Sequence, residues 1–269
     1  MNNTSVRIIS ALVLSLAILA SYYFFNKNGL QTWGFLLSAL CIFEYAKMFF
    51  ATWSYRIIFM TFAVLNFVTF YLLIPLSIYA LSLSFILLSI AVVVRAKKIA
   101  TAMQDIGYSA VGIVYVGILP ALFCRFFIRH PDGITYLLLC LICVASTDIF
   151  AFFFGKWLGK KPLHASLSPK KTVEGAVIGS LASVHMGLST AYLLGLNHNY
   201  VYLGLTFLIA SIFGQFGDLF ESMLKRSVQV KDSGIIMPGH GGALDRLDSL
   251  LFAAPVFFVY ANLTSSTFV

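Results

Sequence analysis

The chain of 269 residues is 60% hydrophobic and 10% charged, with a mean hydropathy of +0.92 and a formal net charge of +8. This composition excludes an ordinary soluble domain and indicates an all-α, polytopic integral membrane protein. It also excludes a nucleic-acid-binding module, because no soluble basic domain fits between the apolar segments.

Apolar runs along the chain predict about nine transmembrane helices. They cover residues 8–25, 30–45, 57–74, 77–94, 108–127, 134–154, 173–196, 200–220 and 247–260. Between the fourth and fifth runs, residues 99–106 predict a short amphipathic connector at the membrane interface. We expect an N-terminal transmembrane half, residues 1–106, and a catalytic transmembrane half, residues 107–269.

The distribution of positive charge predicts the orientation of these helices. With nine spans, all 18 Lys and Arg residues except Lys27, Arg125 and Arg129 lie on the same side as the N-terminus. Because loops rich in Lys and Arg stay in the cytoplasm, we expect a cytoplasmic N-terminus. Both polar segments that could carry chemistry, residues 155–175 and 214–248, open on that side.

Polar residues inside apolar segments are the next signal. Glu44, near the end of the second span, either pairs locally with Lys47 or contributes to a polar cavity. Asp148, in the sixth span, is a candidate site residue, because a carboxylate is costly in lipid unless it faces the bundle interior. A hydrogen bond between packed helices is the alternative for Asp148. Cys140 and Cys143 form a CxxC without a second ligand pair, so we expect small buried side chains there.

The segment at residues 214–248 concentrates charge. It holds half of the ten acidic residues of the chain: Asp218, Glu221, Asp232, Asp245 and Asp248. Helical spacing places the first two on one face of a helix and the last two on one face of the next, with a glycine-rich turn between them. Mg²⁺ binds carboxylates together with substrate phosphates, and glycines let backbone amides approach a phosphate. The segment predicts a metal-assisted polyphosphate site, the alternative being an ordinary charged loop.

A second polar segment follows the sixth span. Ser168–Pro169, followed by two lysines and a threonine, predicts a phosphate-binding turn that opens onto a helix N-terminus. The positive end of the helix dipole and the two lysines would neutralise a bound phosphate.

These motifs resemble those of a known family. The longer match is to the signature of the phosphatidate cytidylyltransferases, also called CDP-diacylglycerol synthases, and it comprises residues 222–226 (SMLKR), 231–232 (KD), 238–242 (PGHGG) and 244–248 (LDRLD). Members of this family also carry a Ser-Pro-x-Lys-Thr-x-x-Gly element, which residues 168–175 resemble, with Lys171 as the better match to the motif lysine. An Asp in the preceding span corresponds to Asp148.

The resemblance implies an enzyme of phospholipid biosynthesis that uses Mg²⁺ to form CDP-diacylglycerol and pyrophosphate from CTP and phosphatidate. It also implies a homodimer and leaves open a second cation. Such an enzyme would lie in the bacterial inner membrane among membrane lipids, with its active site facing the cytoplasm.

Candidate roles follow from the motifs and the resemblance together. Asp218 and Asp245 are the expected metal ligands, and Asp148, Glu221 and Asp248 are additional ligands or surround the ion. The expected catalytic residues are Asp218, Asp245, Lys225 and Arg246. The expected substrate-binding residues are Ser168, Lys170, Lys171, Thr172, Ser222, Arg226, Lys231, Gly239, His240, Gly241 and Gly242.

Three other functions have to be distinguished. A CTP-dependent polyisoprenol kinase would place similar charges at the membrane surface but would transfer the γ-phosphate of CTP. A CDP-alcohol phosphotransferase is excluded by the absence of its Asp-Gly-x-x-Ala-Arg motif. A transporter would predict paired half-helices and internal repeats, and the sequence contains neither.

Overall fold

A computed structural model describes residues 3–95, 98–196, 199–234 and 241–264. Its elements are α1 (Asn3–Phe49), α2 (Trp53–Leu72), α3 (Ile74–Arg95), α4 (Ile99–Gly112), α5 (Leu119–Arg129), α6 (Gly133–Leu158), β1 (Pro162–His164), β2 (Ser168–Thr172), α7 (Val173–Leu193), α8 (Tyr200–Ser227) and α9 (Leu244–Thr264). A π-helical segment, Ile113–Ile118, joins α4 to α5. The two strands form a single antiparallel hairpin within an otherwise helical chain.

Seven helical segments of the described chain are long and apolar enough to cross a membrane. They correspond to the third to ninth predicted spans, and they confirm an all-α integral membrane protein. The first two predicted spans both lie within α1, whose backbone leaves helical geometry at Asn26, with φ 51° and ψ −137°. The count of nine spans is therefore not confirmed and stays a prediction.

Two local predictions are wrong. Residues 99–106 are not a separate connector but the beginning of α4, which continues through the π-helical segment into α5. The π-helical turns directly precede Pro120, which lacks an N–H, and such turns accommodate a break in the helical hydrogen-bond pattern. Ser168 and Pro169 do not form a turn but begin β2, which leads directly into the N-terminus of α7.

The chain divides into two compact units. The first comprises residues 1–129 and 232–245, and the second comprises residues 130–231 and 246–269. The predicted boundary of the catalytic half at residue 107 concerns function, and it stays a prediction.

Aromatic packing organises the first unit near the end of α1. Tyr45 is buried and stacks on Phe59 of α2 with ring centroids 5.4 Å apart, and its hydroxyl donates to the carbonyl oxygen of Tyr108 at 2.8 Å. Gly112 lies so close to the Tyr45 and Phe59 rings that a Cβ atom there would collide with both. This packing holds the last turns of α1 in place, and Glu44 belongs to these turns.

Close backbone contact between α6 and α7 organises the second unit. A Cβ atom on Gly175 would lie 2.6 Å from the carbonyl oxygen of Ala151, and one on Gly179 would lie 2.6 Å from that of Thr147. Small residues permit such contact between membrane helices. Because the β1–β2 hairpin connects α6 to α7, this packing brings Lys171 of β2 within electrostatic reach of Asp148 of α6.

Buried hydroxyl groups join α6 and α7 to α8. The Thr147 and Ser211 hydroxyl oxygens are 2.8 Å apart, and the Ser211 hydroxyl donates to that of Ser180 at 3.0 Å. The Gln215 amide donates to the same Ser180 hydroxyl oxygen at 2.9 Å. These hydrogen bonds set the rotation of α8 and thereby the direction of Asp218, which lies one turn after Gln215.

The cysteines behave as packing residues. Cys41, Cys124, Cys140 and Cys143 are all buried free thiols. The Cys143 thiol donates to the carbonyl oxygen of Phe207 at 3.6 Å. The prediction that the CxxC supplies small buried side chains to the sixth span is confirmed.

Candidate active site

The second unit contains a cavity of about 730 Å³ that collects residues from both predicted motif regions. Six of its lining residues were predicted as site residues: Asp148, Ser168, Lys170, Lys171, Thr172 and Asp218. Lys156 and Gln215 also line it and were not predicted. Helices α6 and α8 supply the carboxylates, and strand β2 supplies Lys170, Lys171 and the two hydroxyls. Such a cavity can accommodate phosphate groups beside a cation.

An ion pair between Lys171 and Asp218 lies at the centre of this group. The two side chains are 32% and 29% exposed, respectively. The Ser222 hydroxyl donates to the other Asp218 carboxylate oxygen at 3.4 Å. Lys170 lines the same cavity, but it makes no ion pair within the described part of the chain. The structure therefore distinguishes the two neighbouring lysines.

The ends of the hairpin are held by local hydrogen bonds. Thr172 caps α7, because its hydroxyl oxygen accepts from the backbone N–H of Gly175 at 3.2 Å. Glu174, in the first turn of α7, accepts from the backbone N–H of Lys160 at 3.0 Å. These contacts fix the start and the end of the hairpin relative to α7 and so position Lys171.

Asp248 adds a third carboxylate to the group. It is 8% exposed, it interacts electrostatically with Asp218 and Asp148, and one of its oxygens accepts from the backbone N–H of Ser249 at 2.7 Å. Gly217 permits this proximity, since a Cβ atom there would lie 2.5 Å from the carbonyl oxygen of Asp248. The carboxylates of Asp148, Asp218 and Asp248 thus all lie within electrostatic reach of the Lys171 ammonium group.

The chemistry of these donors fits a Mg²⁺ ion. Carboxylate oxygens are its preferred protein ligands, and it usually takes one or two of them and completes its shell with water and phosphate oxygens. Across the described residues, no group of three or more His, Cys, Asp or Glu side chains is arranged to hold a metal ion. The arrangement therefore fits an ion held by one or two carboxylates and by a substrate, rather than a site closed by protein ligands alone.

Glu221 and Lys225 form a separate buried pair one turn further along α8. Their charged atoms are 2.7 Å apart, and the side chains are 2% and 13% exposed, respectively. Breaking such a pair is costly because it leaves a buried charge without compensation. The metal role predicted for Glu221 and the catalytic role predicted for Lys225 stay predictions.

Asp245 belongs to the first unit, where it holds the two ends of the glycine-rich segment. Its Oδ2 atom accepts from the Ser233 N–H at 3.0 Å, from the Ser233 hydroxyl at 2.9 Å and from the Gly242 N–H at 2.8 Å. Gly241 has φ +82°, a conformation that favours glycine. Asp218 belongs to the second unit, so the shared metal ion predicted for Asp218 and Asp245 stays a prediction.

Glu44 lies in the same part of the first unit. It is 1% exposed and accepts from the backbone N–H groups of Ala243 and Leu244, each at 3.0 Å, and from the Ser233 hydroxyl at 3.1 Å. Lys47 is exposed and makes no ion pair in the described ranges. Of the two alternatives for Glu44, the local ion pair with Lys47 is therefore wrong.

Five predicted site residues remain. Arg226, Lys231 and Arg246 are exposed, and the Arg226 guanidinium donates to the carbonyl oxygen of Val230 at 3.4 Å. Gly239 and His240 lie outside the described residues. Substrate binding by Arg226, Lys231, Gly239 and His240 and the catalytic role of Arg246 stay predictions.

The sequence did not indicate the roles of two residues, Glu44 and Ser233, that bind the ends of the glycine-rich segment in the first unit. Glu44 showed the same signal as Asp148, an acid within an apolar run, but its partners are 189 to 200 positions away in the chain. Ser233 lies within the signature, between a charged residue and a glycine. A serine there gives no sign that its hydroxyl lies within hydrogen-bonding distance of two carboxylates. Both contacts depend on tertiary structure.

Comparison with known proteins identifies the family. Residues 5–264 match the model of the Cytidylyltransferase family. The chain is 41% identical over 177 residues to the phosphatidate cytidylyltransferase of Staphylococcus aureus (strain COL), and this alignment covers 65% of each chain. It is 40% identical over 182 residues to the phosphatidate cytidylyltransferase of Bacillus subtilis (strain 168), covering 67% of this chain and 66% of that relative. The resemblance carried by the motifs is confirmed, and the chain belongs to the Cytidylyltransferase family.

Proposed function

We propose that the protein is a CTP:phosphatidate cytidylyltransferase that forms CDP-diacylglycerol and pyrophosphate in phospholipid biosynthesis. The observation that carries this proposal is the cavity in which Lys171, Asp218 and Asp148 come together, in a chain that belongs to the Cytidylyltransferase family. The names of the two relatives support the same reaction.

The reaction requires little proton chemistry from the protein. A phosphate oxygen of phosphatidate attacks the α-phosphorus of CTP in line, a new P–O bond forms, and the bond from the α-phosphorus to the oxygen of the leaving pyrophosphate breaks. Because the attacking oxygen is already anionic near neutral pH, no strong general base or covalent nucleophile is needed. The protein has to position two polyanions and neutralise their charge.

The cavity residues suit this task. Lys171 would contact a phosphate of either substrate, with Lys170 beside it and with the Ser168 and Thr172 hydroxyls as hydrogen-bond donors. Asp218 and Asp245 would hold Mg²⁺, which when bound neutralises charge on the triphosphate. The expected additional ligands or surrounding acids are Asp148, Glu221 and Asp248.

The proposed location follows from the two substrates. A water-soluble nucleotide and a two-tailed lipid meet where the cytoplasm borders the membrane, so the cavity would open to both. The positive charges of the loops support nine spans with a cytoplasmic N-terminus, in the bacterial inner membrane. Assembly as a homodimer and binding of a second cation complete the proposal.

The decisive measurement is pyrophosphate release from CTP by the full-length protein in detergent, with and without phosphatidate. Asp218→Asn and Asp245→Asn should each abolish Mg²⁺-dependent formation of CDP-diacylglycerol, because each removes a proposed metal ligand. Asp132→Asn, which changes an exposed acid outside the candidate site, is the matched control and should retain activity. Retained activity in either site variant would remove that residue from the proposed metal site.

The same assay separates the alternatives. A CTP-dependent polyisoprenol kinase would transfer the γ-phosphate and release CDP instead of pyrophosphate. A transporter would release neither product. Pyrophosphate release without phosphatidate would contradict the proposed acceptor substrate.

A further inference from the structure

Glu44 binds both sides of the segment that carries the glycine-rich motif. Its carboxylate accepts from Ser233 on one side of residues 235–240 and from Ala243 and Leu244 on the other. Glu44 itself belongs to α1 and is 1% exposed. One side chain of α1 therefore forms hydrogen bonds to two chain positions that are ten residues apart, Ser233 and Ala243.

The glycines around Glu44 provide a second, independent observation. A Cβ atom on Gly234 or on Gly242 would collide with the Glu44 carboxylate. The chain on both sides of residues 235–240 thus approaches this carboxylate so closely that no side chain fits. At these two positions, glycine is required by an internal carboxylate, whether or not a phosphate binds nearby.

Ser233 connects Glu44 to Asp245. Its hydroxyl oxygen is 3.1 Å from a Glu44 carboxylate oxygen and 2.9 Å from Asp245 Oδ2. The backbone N–H of Ser233 also donates to Asp245 Oδ2, at 3.0 Å. A displacement of Glu44 would therefore move Ser233 and, with it, the carboxylate of Asp245.

A buried carboxylate is costly unless its hydrogen-bonding capacity is satisfied. Glu44 meets this condition through two backbone N–H groups and the Ser233 hydroxyl, whose single proton lies between Glu44 and Asp245, and it has no ion pair in the described part of the protein. Hydrogen bonds to an ionised acceptor are stronger than those between neutral groups. The backbone N–H groups of Ala243 and Leu244 bind different oxygens of Glu44, and a glutamine would place an NH2 donor at one of these two positions.

We propose that Glu44 is a positioning residue, which holds the ends of the glycine-rich segment together and thereby sets the orientation of Asp245 in the active site. The inference rests on the proposed function, in which Asp245 is a metal ligand. Glu44 contacts no substrate in this account and acts through Ser233 and the backbone of residues 242–244.

The test compares Glu44→Gln and Ser233→Ala with Asn66→Ala in the full-length protein. Asn66 is a matched control, because it is also a buried polar residue of the first unit, and its amide donates to the Ser84 hydroxyl oxygen at 2.7 Å, away from the glycine-rich segment. Two quantities are measured: the Mg²⁺ concentration that gives half-maximal pyrophosphate release, and the rate of trypsin cleavage after the exposed Lys231. Thermal unfolding in detergent gives the general loss of stability of each variant.

Glu44→Gln should raise the half-maximal Mg²⁺ concentration by about 10- to 100-fold, as expected for the loss of one hydrogen bond to a charged group. Cleavage after Lys231 should become faster in the same variant. Ser233→Ala should change both quantities in the same direction. The variant that carries both Glu44→Gln and Ser233→Ala should show a smaller change than the sum of the two single changes, because the two residues act through one contact. Asn66→Ala should lower the unfolding temperature but leave the Mg²⁺ dependence and the cleavage rate unchanged.

Wild-type Mg²⁺ dependence and wild-type cleavage in Glu44→Gln would overturn the proposal. Equal changes in Asn66→Ala would also overturn it, since general destabilisation would then explain them. If Glu44→Gln does not fold, Ser233→Ala provides the same test with a smaller perturbation. If the wild-type protein releases no pyrophosphate, the proposed function fails, and the cleavage rate still decides whether Glu44 holds the segment.

Discussion

Replacing Lys171 with glutamine tests the centre of the candidate active site. The change removes the cation that pairs with Asp218 and that lies within electrostatic reach of Asp148 and Asp248. Two unit charges about 4 Å apart interact by about 4 kcal/mol at an effective dielectric constant of about 20. Because the two paired side chains are 32% and 29% exposed, solvent screening reduces this value, and we expect about 2–3 kcal/mol of lost phosphate stabilisation.

This free energy corresponds to a decrease of about 30- to 150-fold in kcat/KM for CTP. The assay is pyrophosphate release at saturating phosphatidate with CTP varied. Lys170→Gln is the matched control, because Lys170 lines the same cavity but makes no ion pair among the described residues, and its effect should be at least several-fold smaller. A larger loss in Lys170→Gln, or wild-type activity in Lys171→Gln, would refute the assignment of Lys171.

Two further predictions concern stability, measured by thermal unfolding in detergent. Gly179→Ala should destabilise the protein by about 1–3 kcal/mol, since the new Cβ atom would lie 2.6 Å from the carbonyl oxygen of Thr147. Gly107→Ala, where no described atom lies within 4 Å, should be neutral or slightly stabilising, and an equal loss in both would contradict the packing argument. Lys225→Met should cost about 3–5 kcal/mol, because it removes the ammonium group that lies 2.7 Å from the buried Glu221 carboxylate. Adding Glu221→Leu should recover most of this loss, and a double variant no more stable than Lys225→Met would disprove the explanation.

Local sequence patterns pointed to several residues that the structure brings together in one cavity. Asp148 was singled out because a carboxylate in an apolar span needs a polar environment, and it lines the cavity. The Ser168–Thr172 motif and Asp218 line the same cavity, although they are about 50 positions apart in the chain. The sequence singles these residues out because a polar residue is costly inside a membrane and is therefore rare in an apolar sequence.

Other features were not predictable in this way. The hairpin was expected to be a turn, because Ser-Pro-Lys-Lys-Thr has the composition of a loop and its pairing partner, residues 162–164, carries no strand signal. The sequence predicts metal-binding and catalytic roles for Asp245 but not that its Oδ2 atom lies within hydrogen-bonding distance of the Ser233 N–H, the Ser233 hydroxyl and the Gly242 N–H. The number of donors that surround a carboxylate depends on the folded backbone, which composition and spacing do not specify.

The sequence by itself determined the class of the protein, the position of seven of its membrane helices and the spacing of the charged residues in its motifs. These properties are local: the hydropathy of a segment and the helical spacing of its charges are fixed by consecutive residues. Only the tertiary structure decided that Lys171 rather than Lys170 pairs with Asp218, and that Glu44 holds a segment about 190 positions away. The physical reason is that the partners of a buried charge are the donors that lie within hydrogen-bonding distance of it. Close packing of backbone segments at glycines determines which donors these are, and this packing is a property of the whole fold.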